Sequence, residues 1–316
     1  MIKTYSLNDL IKVPNKKGWP WNKESNFTLI DAIYPKITVV TPSYNQGHFI
    51  EETIRSVLLQ NYPNLEYLII DGGSTDSTVE VIRKYEKYIT YWVSEKDRGQ
   101  SDAINKGFEK ATGDIICWLN SDDYYYPNTL YRVANHFMND SNKNKIIFGQ
   151  GTFLFEQYNL KIPNKTAKLS KKLTIDFCDY VIQPSSFWTK SVWDKVGILK
   201  NEIHYCFDWE WFIRASKVGV NLQMVEDIFS VYRIHSAHKS SNAGQKRIVE
   251  ISNLCRKVHG DEIADTYMKL NGSVNNIRLR RFLKNFPIGT TFFKKLLWKR
   301  KYQNIPFDIF EKLFYI

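Results

Sequence analysis

The run Ile115-Ile116-Cys117-Trp118-Leu119, followed at once by Asn120-Ser121-Asp122-Asp123, constrains this chain more than any other stretch. Five apolar residues in a row are too few for a typical helix and suit a strand buried on both faces. The abrupt change to two small polar residues and two adjacent carboxylates puts acids at the carboxyl edge of that strand, where open α/β sheets bind ligands. Two neighbouring acids repel unless positive charge stands beside them, and a divalent cation, which takes oxygen ligands, meets that need. A helix N-cap or a turn is the other reading of Ser121-Asp122-Asp123, since Ser and Asp favour both.

The rest of the chain tips the balance towards ligand binding. Lys36–Thr41 is β-branched and reads as a first strand running into the loop Pro42–Gly47. A helix over His48–Gln60 places Phe49, Ile50, Ile54, Val57 and Leu58 on one face. Glu66–Asp71 is a second strand, a helix begins near Ser77 with a Ser77/Glu80 capping box, Ile89–Ser94 is a third strand, and Ser101–Ala111 is helical. Strand–helix alternation at this spacing predicts an α/β fold with an open, mostly parallel twisted sheet flanked by helices, built on right-handed crossovers. Crossovers bring Ser43, Asn45, Asp71, Glu95, Asp97, Asp122 and Asp123 to one rim. Further on, Ile146–Glu156 reads as two short strands or one bent at Gly149 and Gly151. Asp208 opens a helix, where an N-cap is its structural role, Val225–Val231 is a strand, and a long helical segment covers 245–270.

Composition excludes several classes. The four cysteines, Cys117, Cys178, Cys206 and Cys255, lie far apart with no C-x-x-C, which argues against a zinc site or a disulfide framework and fits a reducing cytoplasm. Met1–Leu10 lacks a signal-peptide layout, and no run approaches the roughly 18 apolar residues of a membrane span. The net charge of +11 is concentrated at the end: from Asn275 to Ile316 ten Lys and Arg face only Asp308 and Glu311. With the charge outside the sheet rim and no nucleic-acid motif present, nucleic-acid binding is not expected.

Five motifs in order resemble the family 2 glycosyltransferases of GT-A fold, over roughly Lys36–Ser241. They are Thr41-Pro42-Ser43-Tyr44-Asn45, Asp71-Gly72-Gly73-Ser74-Thr75-Asp76, Asp97-Arg98-Gly99-Gln100-Ser101-Asp102-Ala103 with Asn105-Lys106-Gly107, Asn120-Ser121-Asp122-Asp123, and Phe207-Asp208-Trp209-Glu210. The resemblance implies a catalytic domain over 36–244, with a nucleotide-sugar half at 36–145 and an acceptor half at 146–244. An N-terminal arm, 1–35, precedes it and a helical, basic-aromatic extension, 245–316, follows. It implies a nucleotide-sugar donor, a UDP-sugar foremost, with Thr41, Pro42, Tyr44 and Asn45 about the base and ribose. Asp71 would accept from the base N–H, Arg98, Gln100 and Asp102 would face the diphosphate and sugar, and Lys239 would face the diphosphate. Asn120-Ser121-Asp122 stands where the family has its Asp-x-Asp motif. Asn replaces the first acid, so Asn120 and Ser121 would contact the donor, and a Mg²⁺ or Mn²⁺ ion would fall to Asp122, Asp123 and His235. Asp208 occupies the position of the family's general base.

The residue types suit that chemistry. Cleaving a sugar–phosphate bond builds negative charge on the diphosphate, which a cation and Arg98 stabilise, and a carboxylate can take the proton of the attacking hydroxyl. One base and no enzyme nucleophile means single displacement with inversion. A nucleotidyltransferase would want a basic, Gly-rich loop after the first strand, and Thr41–Gly47 has no Lys or Arg. A non-catalytic nucleotide-sugar-binding module would be favoured only if Asp208 or the Asp122-Asp123 pair were missing. From Asn275 to Ile316 the extension interleaves Lys and Arg with Phe, Leu and Trp. It reads as a segment lying in a membrane interface, which suits a lipid-linked saccharide acceptor of bacterial surface-polysaccharide type at the inner face of the membrane. The other reading packs those aromatics on the body.

Overall fold

In a computed structural model the described residues are 4–25, 33–237, 239, 243–271 and 290–313. The chain divides into two compact units, one of Met1–Lys168, Val181–Glu202 and Arg214–His235, the other of Leu169–Tyr180, Ile203–Ile213 and Ser236–Ile316.

The first unit carries the sheet. In chain order it contains β1 (Ile37–Ser43), α1 (Ile50–Leu58), β2 (Leu65–Asp71), α2 (Thr78–Tyr85), β3 (Tyr91–Ser94), α3 (Gln100–Lys110), β4 (Ile115–Trp118), β5 (Tyr124–Tyr125), α4 (Thr129–Met138), β6 (Lys145–Phe155), β7 (Leu160–Asn164), β8 (Ser186–Thr189) and α5 (Lys190–Val196). Helix α6 (Phe207–Lys217) starts in the second unit, and β9 (Asn221–Ile234) completes the sheet. Strand order is β3-β2-β1-β4-β8-β6-β9-β5, with β7 paired to β6. The first four strands are parallel, as the alternation predicts, and β8, β7 and β5 add antiparallel pairs, so the sheet is mixed.

Strand β4 lies between β1 and β8 and is buried on both faces, as five apolar residues in a row predict. Ile115 and Cys117 join the core under α1 and α4, while Trp118 packs edge-on against Phe108 and Trp188. The N-terminal arm is pinned by Arg55, 1% exposed, whose guanidinium donates to the carbonyls of Ile11 (2.9 Å), Pro20 (3.1 Å) and Trp21 (3.0 Å).

Of three local expectations, two change and one of two alternatives is met. The Ser77/Glu80 capping box does not form: the Asp76 carboxylate accepts from the Thr78 N–H (2.9 Å) and, with its other oxygen, from the Gly47 N–H (2.9 Å). Ile146–Glu156 is one strand, with its register against β9 shifting between Phe148 and Gly151. Gly149 permits this, since a Cβ there would lie 2.5 Å from the Asp227 carbonyl and from the Phe229 ring. Strand β9 runs on through Arg233, well past Val231.

The second unit holds α7 (Gly244–His259), α8 (Asp261–Asn271), α9 (Thr290–Lys301) and α10 (Phe307–Lys312). The single helix expected over 245–270 is broken at Gly260, φ +92°. Leu270, Tyr302, Ile305, Phe310 and Leu313 form a small core, with Leu297, Trp298 and Phe307 against it. That part of the basic-aromatic extension therefore packs. Residues 275–289 and 314–316 lie outside the described residues.

Candidate active site

Two loops of the first unit are stitched together at the strand ends. Asn45, at φ +52°, accepts the Thr75 N–H on its side-chain oxygen (2.9 Å), and its own N–H donates to Ser74 Oγ (2.7 Å). Tyr44 is 60% exposed on this rim, while Thr41 and Pro42 are buried within β1, Thr41 sharing a hydrogen bond with the Tyr67 hydroxyl (3.2 Å). Ser43 Oγ is buried with no hydrogen-bond partner among the described residues. A buried polar atom left unpaired costs about 1–3 kcal/mol, so the end of β1 is a place where a ligand group has something to gain.

Asp71 closes β2. It is fully buried, and its carboxylate accepts from the Gly73 N–H (3.1 Å), the Ser74 N–H (2.8 Å), Ser74 Oγ (2.5 Å) and Ser94 Oγ (2.6 Å). Those bonds hold the Gly72–Ser74 turn in shape. Beside it the Asp97 carboxylate lies over Gly72, where a Cβ would come within 2.6 Å of it, and accepts the Gly99 N–H (2.8 Å). Burial pushes the Asp97 carboxyl up from its ordinary value.

Arg98 and Asp102 meet as the motif suggests. The guanidinium donates to Asp102 Oδ1 through Nη2 (2.7 Å) and Nε (3.2 Å), and the Arg98 N–H donates to Oδ2 (3.1 Å). Arg98 holds the Asp102 carboxyl below the usual carboxylate range. Its own side chain is 76% exposed, with donors still facing outwards. Gln100 donates to the Asn120 side-chain oxygen (2.8 Å), and Asn120 donates to Asp123 (3.3 Å) and Gln183 (3.2 Å). Asn120 thus organises the loop after β4. Ser121 is buried, and its carbonyl accepts from Thr53 Oγ1 (2.9 Å).

Asp122 and His235 come together, with His235 Nε2 3.1 Å from Asp122 Oδ2. Asp123 does not join them, which corrects the expected three-residue metal set. It is buried under the loop, where its Oδ1 accepts the Arg233 N–H (2.9 Å). Burial first, and then the neighbouring Asp122 charge, push its carboxyl well above the ordinary range. Among the described residues no cluster of three His, Cys, Asp or Glu side chains forms a ready-made metal cage. One carboxylate and one imidazole at the rim still fit a Mg²⁺- or Mn²⁺-type site of the kind completed by substrate phosphates.

Arg233, beyond the strand expected to end at Val231, holds this part of the rim in place. Its side chain is 4% exposed, donates from Nε to the Asp122 carbonyl (2.8 Å) and pairs with Glu52 (2.7 Å) and Glu156. The guanidinium lies over the rings of Phe49 (4.9 Å) and Tyr124 (5.5 Å). Side chain and backbone together lock the Asp122-Asp123 loop to β9, which carries His235 just beyond its end.

The second unit holds the remaining candidates. Asp208 stands in the first turn of α6, accepting the Trp209 N–H (2.8 Å). Glu250 on α7 accepts three successive backbone N–H groups, His204 (2.8 Å), Tyr205 (2.5 Å) and Cys206 (2.8 Å), which fixes the approach to α6. Burial raises the Asp208 carboxyl, opposed by Arg247 and Lys239. Asp179, raised further by burial and by Asp208, keeps a buried oxygen without a hydrogen-bond partner among the described residues. Lys239 lies over the rings of Phe207 (5.3 Å) and Tyr205 (5.9 Å), and burial lowers its pKa.

The family model described as Glycosyl transferase family 2 matches residues 38–183, from β1 to the turn before β8. The chain is a glycosyltransferase, similar to family 2 over that stretch. This glycosyltransferase is 37% identical over 112 residues to the putative teichuronic acid biosynthesis glycosyltransferase TuaG of Bacillus subtilis, covering 34% of this chain and 44% of TuaG. Its fold is that of GT-A enzymes. Staphylococcus aureus TarS 1–349, solved with UDP, superposes with TM-score 0.57 at 16% identity, over 82% of this chain and 78% of that one. The mannosyltransferase PcManGT of Pyrobaculum calidifontis, solved with GDP-Man and Mn²⁺, gives TM-score 0.58 at 15% identity, over 93% and 89%.

Proposed function

We propose that this glycosyltransferase moves a sugar, with inversion, from a nucleoside-diphosphate sugar to a hydroxyl of a saccharide or lipid-linked saccharide in polysaccharide assembly. The meeting of Asp122 with His235 on the strand-end rim that also bears Arg98 carries this reading. The orphan Ser43 hydroxyl and the exposed Tyr44 support donor binding at the first strand end. TuaG's named role supports a polysaccharide product, and the ligands named for TarS and PcManGT support a nucleotide-sugar donor.

Asp122 and His235 would hold a divalent cation, which when bound supplies positive charge to the departing diphosphate. Arg98 adds a fixed charge of its own, oriented by Asp102. Asp208 takes the proton of the attacking hydroxyl, a step that needs the ionised carboxylate. No helix among the described residues is long and apolar enough to cross a membrane, so the proposed place at the inner face rests on surface attachment, to which the basic extension contributes.

Donor hydrolysis across a panel of UDP-, GDP- and dTDP-sugars tests the reading, with Mn²⁺ and then with excess EDTA. Turnover of at least one donor that stops in EDTA and returns with Mn²⁺ is expected. Full turnover in EDTA would remove the metal from the proposal, and no turnover of any donor together with no nucleotide binding by calorimetry would remove the function.

A further inference from the structure

A row of polar side chains runs along the buried side of α1. Thr53, Ser56 and Gln60, the last in the turn that ends the helix, recur at i, i+3 and i+7 and so share a face. Each is 1% exposed or less. A hydroxyl or amide buried this deeply is costly unless it is hydrogen-bonded. The partners of all three lie in one short piece of chain, the loop after β4. Ser56 Oγ accepts the Tyr125 N–H (3.2 Å), and Gln60 Nε2 donates to the Tyr126 carbonyl (2.9 Å). Thr53 Oγ1 reaches two carbonyls, Asp123 at 2.6 Å and Ser121 at 2.9 Å.

A hydroxyl carries a single hydrogen, so Thr53 shares it between those two carbonyls. They stand on either side of Asp122 in the chain. The carbonyl between them, that of Asp122 itself, accepts from Arg233 Nε on β9 (2.8 Å). Three consecutive carbonyls are therefore held by two elements, the outer pair by α1 and the middle one by β9. With the peptide fixed on both flanks, Asp122 has only its side-chain rotamer left to set, and its carboxylate meets His235 at 3.1 Å. A metal-directed carboxylate has to be held to within about 0.5 Å of its working position, and partners behind the ligand supply that precision. We infer that Thr53 is a positioning residue for Asp122: its hydroxyl, bridging the carbonyls of Ser121 and Asp123, sets the Asp122 carboxylate towards the cation. This rests on the metal role proposed above for Asp122 and adds to it a buried residue that acts through the backbone of the loop.

Titration of the full-length chain with Mn²⁺, read by electron paramagnetic resonance, tests this without turnover. Thr53→Ser keeps the hydroxyl and should bind Mn²⁺ within about twofold of the wild type. Thr53→Val removes it and should bind about tenfold more weakly, the usual loss when the partner behind a ligand goes. Thr53→Ala removes the same hydroxyl without setting a methyl against the two carbonyls, and it carries the test if the Val variant does not fold. Ser56→Ala separates position from stability. It takes a hydrogen bond from Tyr125, two residues beyond Asp123, so it should lower the melting temperature yet leave Mn²⁺ affinity within about twofold. A Thr53→Ala variant that binds Mn²⁺ as tightly as the wild type would overturn the inference and leave the metal reading standing. Equal weakening by Thr53→Ala and Ser56→Ala would also overturn it, since any loosening of the loop would then suffice. A wild type that binds no Mn²⁺ would overturn the metal reading and this inference together, without touching the transfer reaction itself.

Discussion

Because Asp122 faces His235 while Asp123 is buried beneath Arg233, two adjacent acids should answer substitution differently. Asp122→Asn is expected to weaken Mn²⁺ binding by about tenfold or more, in line with the loss of a metal-directed carboxylate. Asp123→Asn, an isostere of the protonated acid favoured by burial, should keep Mn²⁺ affinity within about twofold. Titration of Mn²⁺ by electron paramagnetic resonance separates them, and equal losses would return Asp123 to the metal site. Asp208→Asn keeps shape and removes basicity, so the rate should fall by about 10²–10⁴ with donor binding kept, a range set by general-base catalysis. Near-normal turnover would make Asp208 a helix cap only. Asp179 is a matter of linkage. Its folded pKa is raised, so the folded state binds the proton more tightly than the unfolded state, and stability is lost as pH rises from the ordinary carboxylate range through the raised value. Asp179→Asn does not titrate, so its melting temperature should exceed that of the wild type by a margin that widens towards neutral pH. A margin independent of pH would show that Asp179 ionises freely in the fold.

At the scale of elements, the strands that begin the sheet were legible because each is a short apolar run closed by polar residues. Their ends fell within a few residues of expectation from periodicity alone. Strand β9 was shortened at both ends for a physical reason. The register shift opposite Gly149 interrupts pairing, so the period of two that betrays a half-buried strand is broken midway. Arg233 went unrecognised with it, since a cation gives no sign in sequence of the two carboxylates and two rings that will enclose it. Asp71 shows a different limit: a motif gives a residue's position, and only three dimensions reveal that four donors of its own neighbourhood already occupy it. The bulge gives its own test. A Cβ on Gly149 meets a backbone carbonyl and a buried ring at 2.5 Å, so Gly149→Ala should cost about 1–3 kcal/mol, the usual penalty of overpacking. Chemical denaturation measures it, and an unchanged midpoint would mean that β6 and β9 can slide apart at no cost.

For the whole molecule, the family match begins at residue 38, and trimming a protein to such a boundary is the ordinary way to isolate a catalytic core. Arg55 forbids it here. Three carbonyls of residues 11–21 are what that guanidinium faces, on a helix that belongs to the matched region. A shortened chain starting near residue 34 would keep the cation, lose those acceptors and retain only the Tyr85 hydroxyl bond to it. Losing hydrogen bonds from a charged group costs about 1.5–3 kcal/mol each, a large part of the stability of a domain. The minimal folding unit of this enzyme therefore reaches back to about Ile11, and an irregular stretch with no motif in it sets where the molecule can be cut.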